Sequence, residues 1–410
     1  MSKDPLRLAI IGCGGIARRH LAALDDLKSR DLNDVVITAV CDANEENAKS
    51  LAQDVETRFG ARPTIYSDYQ QLLTKEKLDA ADLCLPHGLH HGVSIDCMRS
   101  GLHVICEKPL GVTIAASRKM AEVADQTGKI LATAVPYRRL PGQRAVHWAL
   151  NESGLIGRPL SFFHHYTRAG RPRPTNQVVP PALAWRLDRQ MSGGGMVMDS
   201  GFHYCDSIRY FLGDVEKVYA EARGLGTGEP ISLAEDREDT VFVTLTFKSG
   251  VVGTWCWSLA APGESIGNVI FYGSEGSLRD TTDSGALIFH LFWRDEPRVM
   301  EDGVLTKRDS SKLTLAEVEK LHLAATGDNG ESLFPRGCTD GFAIEIYDFT
   351  EAVRGNRAKP EVDAWGGLRS LAICESVYES AFTGEVVRTD DVIAGKKRAY
   401  QKMVDDRWGL

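Results

Sequence analysis

Asp199 and His203 stand four residues apart in Met191–Asp206, which reads MSGGGMVMDSGFHYCD. On a helix that spacing places both side chains on one face, one turn apart. A carboxylate there can orient an imidazole and stabilise its charged form, as a general acid–base pair requires. The pair also reads as an ordinary helix N-terminus with a satisfied histidine. Gly193–Gly195 give the preceding backbone unusual freedom. A third candidate is Lys108, in Cys106-Glu107-Lys108-Pro109-Leu110. At a strand end beside a cofactor, a lysine can hold a substrate hydroxyl and favour its deprotonated form. In any other turn it would be a surface lysine. Pro109 restricts Lys108 to extended backbone and admits a cis bond.

Elements that would position these groups begin at Leu6–Ile11, a short apolar run of strand length. It leads into Gly12-Cys13-Gly14-Gly15-Ile16-Ala17, the G-x-G-x-x-A form of the dinucleotide fingerprint. Gly12 would make the tight turn, and Gly14 would let the backbone approach a pyrophosphate. Ala17 would let the next helix, Ile16–Lys28, pack close to the strand. That helix would aim its free N–H groups at the phosphates, with Gly15 and Ile16 in its first turn. The second strand, Val35–Cys41, ends at Asp42. An acidic residue there can bind the adenosine ribose hydroxyls and repel a 2′-phosphate, which favours NAD and leaves NADP open. Asp42 could alternatively cap the helix Asn44–Arg58.

Strand and helix keep alternating: strands Ala81–Leu85, His103–Cys106 and Ile130–Ala134, helices Tyr69–Thr74, Val93–Ser100 and Ile114–Thr127. This pattern predicts a parallel sheet covered on both faces, with ligand at the carboxyl ends of the strands. Gly12, Asp42, Pro86-His87 and Glu107-Lys108 lie at those ends. Beyond Pro136 the alternation stops. A helix over Leu140–Asn151 is followed by strands over Pro159–Thr167, Val215–Arg223, Thr240–Phe247, Val251–Trp257, Asn268–Tyr272 and Ala286–Trp293. Ser249-Gly250 marks a hairpin, and hairpin-linked strands make an antiparallel sheet. Trp255 and Trp257 share one face of it. His164 and His165 are neighbours on a strand and point to opposite faces, so no metal site is read from them. Ala169–Pro181 is a Pro- and Arg-rich loop that could cover a pocket or form an oligomer contact. Arg294–Glu331 is polar and carries no assignment; Asp340–Arg354 and Ala364–Thr383 read as closing helices.

The 410 residues suit two domains, residues 1–135 and 136–410. With 43% hydrophobic and 25% charged residues the composition is that of a globular protein, and the net charge of −8 argues against nucleic acid. No apolar run has transmembrane length, and the N-terminus does not read as a signal peptide. Nine scattered cysteines without Cys-x-x-Cys pairs suggest a reducing, cytoplasmic compartment.

Taken together these pieces resemble the Gfo/Idh/MocA oxidoreductase family. The fingerprint with Asp42 fits it, as do Leu85-Pro86-His87-Gly88-Leu89-His90, Glu107-Lys108-Pro109, Tyr137-Arg138-Arg139, Trp185-Arg186 and Gly193–Asp206. Leu85 and His87 depart from the family's Thr and Asn. The resemblance implies an N-terminal Rossmann domain, doubly wound around a parallel sheet. It also implies a C-terminal α+β domain with a large open, mostly antiparallel sheet. Lys108, Asp199 and His203 would meet at the nicotinamide, His203 as general acid/base, Asp199 assisting it or holding the substrate, and Lys108 stabilising the reacting oxygen. Pro86, His87, His90, Glu107 and Arg186 would serve the cofactor, and Tyr137, Arg138 and Trp185 a hydroxyl-rich substrate. The implied enzyme is an NAD(P)-dependent dehydrogenase or ketoreductase of a sugar, glycoside or polyol, assembled as a homodimer or homotetramer. The alternatives are a glycoside-modifying enzyme with internally recycled NAD and a non-catalytic dinucleotide-binding regulator.

Overall fold

The computed structural model describes residues 4–167, 181–226, 230–264, 266–280 and 303–410. The chain divides into two compact units, Met1–Pro136 with Phe334–Leu368, and Tyr137–Leu333 with Arg369–Leu410.

In the first unit six strands form one parallel sheet: β1 (Leu6–Ile11), β2 (Val35–Cys41), β3 (Thr64–Tyr66), β4 (Ala80–Leu83), β5 (His103–Glu107) and β6 (Leu131–Ala134). Their order is β3-β2-β1-β4-β5-β6. The order reverses between β1 and β4, the switch point at which doubly wound sheets bind ligands. Residues of β1, β4 and β6 are almost wholly buried, which is why they read as unbroken apolar runs. Apolar periodicity and end signals set the helices between them. Asn44 caps the helix Glu45–Phe59 by accepting from Glu46 N–H, and Gly60 closes it in the left-handed region at φ +81°.

The segment Phe334–Leu368, assigned by sequence to the second domain, groups with this unit. Its helix Gly341–Val353 lies along the helix Gly15–Ser29, and Thr133 N–H donates to the carbonyl of Val362 at 2.9 Å. Sequence order alone carries no sign of such a return.

The second unit holds nine strands: β7 (Pro159–Thr167), β8 (Val215–Arg223), β9 (Thr240–Phe247), β10 (Val252–Ser258), β11 (Gly267–Gly273), β12 (Gly276–Asp280), β13 (Gly303–Lys307), β14 (Lys312–Thr314) and β15 (Val387–Arg388). Their order is β14-β13-β12-β11-β7-β10-β9-β8-β15. All neighbours are antiparallel except β7 and β10. Phe162, Trp255, Trp257 and Phe271 are buried on one face, where Tyr204 of the helix Met196–Leu212 packs 4.4 Å from Trp255, ring to ring. His164 is buried and His165 exposed, as alternation requires.

Several elements were not expected, among them β3, β12, β15, and the strands β13 and β14 with the helix Leu315–Ala325 inside the unassigned polar segment. The helix starts at a reciprocal capping box between Thr314 and Glu317. Residues 169–180 of the proline-rich loop and the strand expected over 286–293 lie outside the described residues. Among the described residues no helix is long and apolar enough to cross a membrane.

Candidate active site

In the first unit the chemistry-bearing residues gather at the carboxyl ends of β1, β2, β4 and β5. Gly12 has φ +92°, and a Cβ there would lie 2.2 Å from the carbonyl oxygen of Cys84, so only glycine fits. Gly14 is different. Its φ of −77° suits any residue, and a Cβ would meet nothing within 4 Å. The fold itself therefore does not require glycine at Gly14; a group approaching the backbone from outside would. The helix Gly15–Ser29 begins there without a side-chain cap and with no acidic residue in its first turn. Ala17 is fully buried against the sheet. These features fit a dinucleotide pyrophosphate. Asp42 does not cap the helix that follows; Asn44 does. The Asp42 carboxylate instead accepts from Cys13 N–H at 2.7 Å and Asn44 N–H at 2.8 Å, which fixes it beside the glycine turn.

At the end of β5 the Lys108–Pro109 peptide is cis. Glu107 is buried, and both of its side-chain oxygens have partners within this unit. One accepts from Lys108 N–H at 2.9 Å, and the other lies 3.2 Å from Nε2 of His20. His90 likewise faces inward, with Nδ1 2.8 Å from the Pro109 carbonyl and Nε2 2.8 Å from the Leu85 carbonyl. Burial holds its pKa down, against the pull of the two carbonyls, each of which can only accept. His90 thus ties the turns after β4 and β5 together. Pro86 opens the short helical turn His87–Leu89, and His87 is buried.

Behind Glu107 lies a cluster that sequence reading missed. His20 is fully buried, with Nδ1 2.9–3.0 Å from both Asp82 oxygens and Nε2 4.0 Å from Glu345. Burial alone would lower its pKa, but the adjoining Asp82 carboxylate raises it well above the usual histidine range. The one sequence sign was an acidic residue in an otherwise apolar strand, Ala80-Ala81-Asp82-Leu83.

In the second unit Asp199 and His203 both belong to the helix Met196–Leu212, one turn apart as their spacing predicted. The preceding glycines are needed for two distinct reasons. Gly193 takes φ +82°. Gly194 and Gly195 are glycine because of crowding: a Cβ would lie 2.2 Å from Tyr378 Oη in one case and 2.5 Å from the Glu238 carbonyl oxygen in the other. These crowding groups also hold the helix N-terminus. Glu238, buried, accepts from Gly195 N–H at 3.1 Å, Val197 N–H at 2.7 Å and Tyr378 O–H at 2.9 Å. Tyr378 Oη in turn accepts from Met198 N–H at 3.0 Å. Burial raises the Glu238 pKa, against the pull of these donors. Tyr400 stacks on Tyr378 and donates to the Gly193 carbonyl at 3.1 Å.

His203 is 5% exposed and meets the Tyr137 ring edge-on at 4.5 Å. Asp199 is half-buried in the first helical turn, where a carboxylate is favoured by the helix dipole. Arg186 lies 3.2 Å from Asp199 and stacks over Trp185. The guanidinium of Arg138, also a substrate candidate, is buried, forks onto the Asp206 carboxylate and lies 5.0 Å over the Tyr210 ring, and Ser370 adds a hydrogen bond to Asp206. A guanidinium so enclosed braces the helix.

Residues 6–135 match the model of an oxidoreductase family with an NAD-binding Rossmann fold, and residues 148–279 match that of the GFO/IDH/MocA C-terminal domain. The chain is 26% identical to 1,5-anhydro-D-fructose reductase of Ensifer adhaerens over 388 residues, covering 94% of this chain and 98% of the relative. It is 30% identical to myo-inositol 2-dehydrogenase of Thermotoga maritima over 283 residues, 68% of this chain and 77% of the relative. Among solved structures, levoglucosan dehydrogenase with NADH and levoglucosan shares the fold at a TM-score of 0.72 and 23% identity, covering 94% of this chain and 99% of that one. The chain therefore belongs to the Gfo/Idh/MocA family of NAD(P)-dependent oxidoreductases.

Proposed function

We propose that this oxidoreductase oxidises a secondary alcohol of a sugar, glycoside or polyol, or runs the same step in reverse as a ketone reductase. The observation that carries the reading is His203, one turn from Asp199 on a helix anchored at its start, in a chain with an NAD-binding fold. In the oxidative direction bound NAD would accept the hydride from the carbinol carbon, and the His203 imidazole would take the O–H proton. Lys108 stabilises the oxygen while charge develops on it. Asp199 orients the ring or holds a substrate hydroxyl, and Tyr137 and Trp185 line the substrate's side. The relatives' names, an anhydrofructose reductase and an inositol dehydrogenase, support a hydroxyl-rich carbon ring as substrate. Absorbance of the reduced nicotinamide tests this, with purified protein, NAD or NADP, and a panel of inositols, hexoses, sugar acids and glycosides. A steady rise with one class is expected. Glycoside turnover without accumulation of NADH would instead indicate an internally recycled cofactor.

The Asp42 carboxylate, fixed beside the glycine turn, is proposed to set the preference for NAD. Asp42→Ser is expected to shift the NAD/NADP ratio of kcat/KM toward NADP on the order of tenfold, since like charges about 4 Å apart repel by roughly 1–4 kcal/mol. A ratio that does not move would place the discrimination elsewhere.

A homo-oligomer is proposed from the outer face of the second sheet. Tyr219, Thr244, Thr254, Phe163 and Ile270 align across five strands, and Phe242, 58% exposed, extends the same face. Exposed apolar side chains such as Tyr219, Phe163 and Phe242 gathered on one sheet face mark an association surface. Phe242→Asp combined with Phe163→Asp should lower the molar mass in light scattering toward that of a monomer; an unchanged mass would remove this face from the interface. All nine cysteines are free and eight are buried, which accords with a cytoplasmic location.

A further inference from the structure

Three donor atoms of different elements meet inside the first unit. Asp82 and Cys84 are two residues apart and both lie against His20 of the helix Gly15–Ser29. His20 Nδ1 is 2.9–3.0 Å from the Asp82 oxygens and 3.7 Å from Cys84 Sγ, and Cys84 Sγ is 3.6 Å from Asp82 Oδ1. All three residues are buried, and their ligand atoms lie within 4.8 Å of one another.

We propose that His20 Nδ1, the Asp82 carboxylate and Cys84 Sγ form a three-ligand site for a zinc-like divalent cation. Zinc bonds nitrogen, oxygen and sulfur at about 2.0–2.3 Å, which makes the edges of a tetrahedral site roughly 3.3–3.7 Å. The observed triangle is within a few tenths of an ångström of that, so a cation fits with small side-chain shifts. The mixed donor set suits a borderline-soft ion and disfavours magnesium or calcium, which take oxygen. The far side of the imidazole is already arranged as metal-bound histidines require. Nε2 lies 3.2 Å from Glu107, a carboxylate that can hold the Nε2 proton while a cation takes the place of the proton between Nδ1 and Asp82. Charge points the same way: Asp82, Glu107 and Glu345 surround one imidazole. A divalent cation would offset the excess of carboxylates. The carbonyl of Cys84 abuts Gly12, so the site lies directly under the glycine turn. The inference does not depend on the substrate reading.

Cobalt(II) titration of the full-length, metal-stripped protein tests it. One cobalt per chain should bind with a thiolate-to-cobalt charge-transfer band in the near ultraviolet, and zinc should displace it. Cys84→Ser should abolish the band, whereas Cys41→Ser, a buried thiol on β2, should keep it. Glu107→Gln should weaken binding by roughly 10–100-fold. Far-ultraviolet circular dichroism and urea unfolding beside the parent check that each variant is folded. On the unaltered protein, a zinc-edge absorption spectrum should show a single sulfur among nitrogen and oxygen neighbours. A protein that takes up neither cobalt nor zinc, a band undiminished in folded Cys84→Ser, or a zinc shell without sulfur would each overturn the proposal and leave His20–Asp82 an ion pair.

Discussion

Replacing His203 with alanine is expected to lower turnover by about 10²-fold or more, the usual worth of a positioned general base. Binding of NAD(H) should hardly change, because the glycine turn and Asp42 belong to the first unit and His203 to the second. Steady-state rates and fluorescence titration with NADH separate the two effects. Asp199 is a poor substitute base, because its carboxylate is engaged by Arg186 3.2 Å away. Turnover within a few-fold of the parent would remove His203 from the chemistry.

The second large effect concerns stability. Glu238→Ala should destabilise the second unit by about 3 kcal/mol, since each buried donor left without an acceptor costs roughly 1–3 kcal/mol. Gly195 N–H, Val197 N–H and Tyr378 O–H all donate to that carboxylate. Relief of the carboxylate's own burial offsets part of the loss, which keeps the figure below the sum of three. Glu238→Gln retains a carbonyl acceptor and should cost less. Urea unfolding of the two variants beside the parent measures both. Equal stability of Glu238→Ala and the parent would show that the helix start is held by something else.

The first unit was legible in sequence because its signals are local. A strand, a glycine turn and a helix follow one another within thirty residues, and Gly12 and Ala17 have the positions the pattern assigns them. Asp199 and His203 were legible for the same reason, being neighbours on one helix. What holds them was not. Glu238 lies 43 residues from Gly195 and 140 from Tyr378, so no window of sequence contains the contact. Gly194 and Gly195 looked like freedom of the backbone, whereas they are places where two buried side chains leave no room for a Cβ.

Residue type also left some partners of the site candidates unseen. Glu107, His90 and Arg138 are polar residues at the right places in recognisable motifs, and each is turned inward to satisfy a buried partner. His20 itself went unseen. A lone histidine on an amphipathic helix is ordinarily a core residue, and only the fold brings Asp82, Cys84 and Glu107 around it. The capping box Thr314–Glu317 was a readable signal for the helix Leu315–Ala325, and the polar run around it obscured it.

The central claim is that a carbinol hydrogen leaves as hydride to the nicotinamide while His203 takes the hydroxyl proton. The most direct measurement uses a substrate from the panel with deuterium at the reacting carbon, and mass spectrometry of the nucleotide recovered. The account predicts that the reduced nicotinamide carries the deuterium, that the label stays out of water, and that His203→Ala slows its arrival. Deuterium released to solvent, or a converted substrate with no label ever found on the nucleotide, would contradict it.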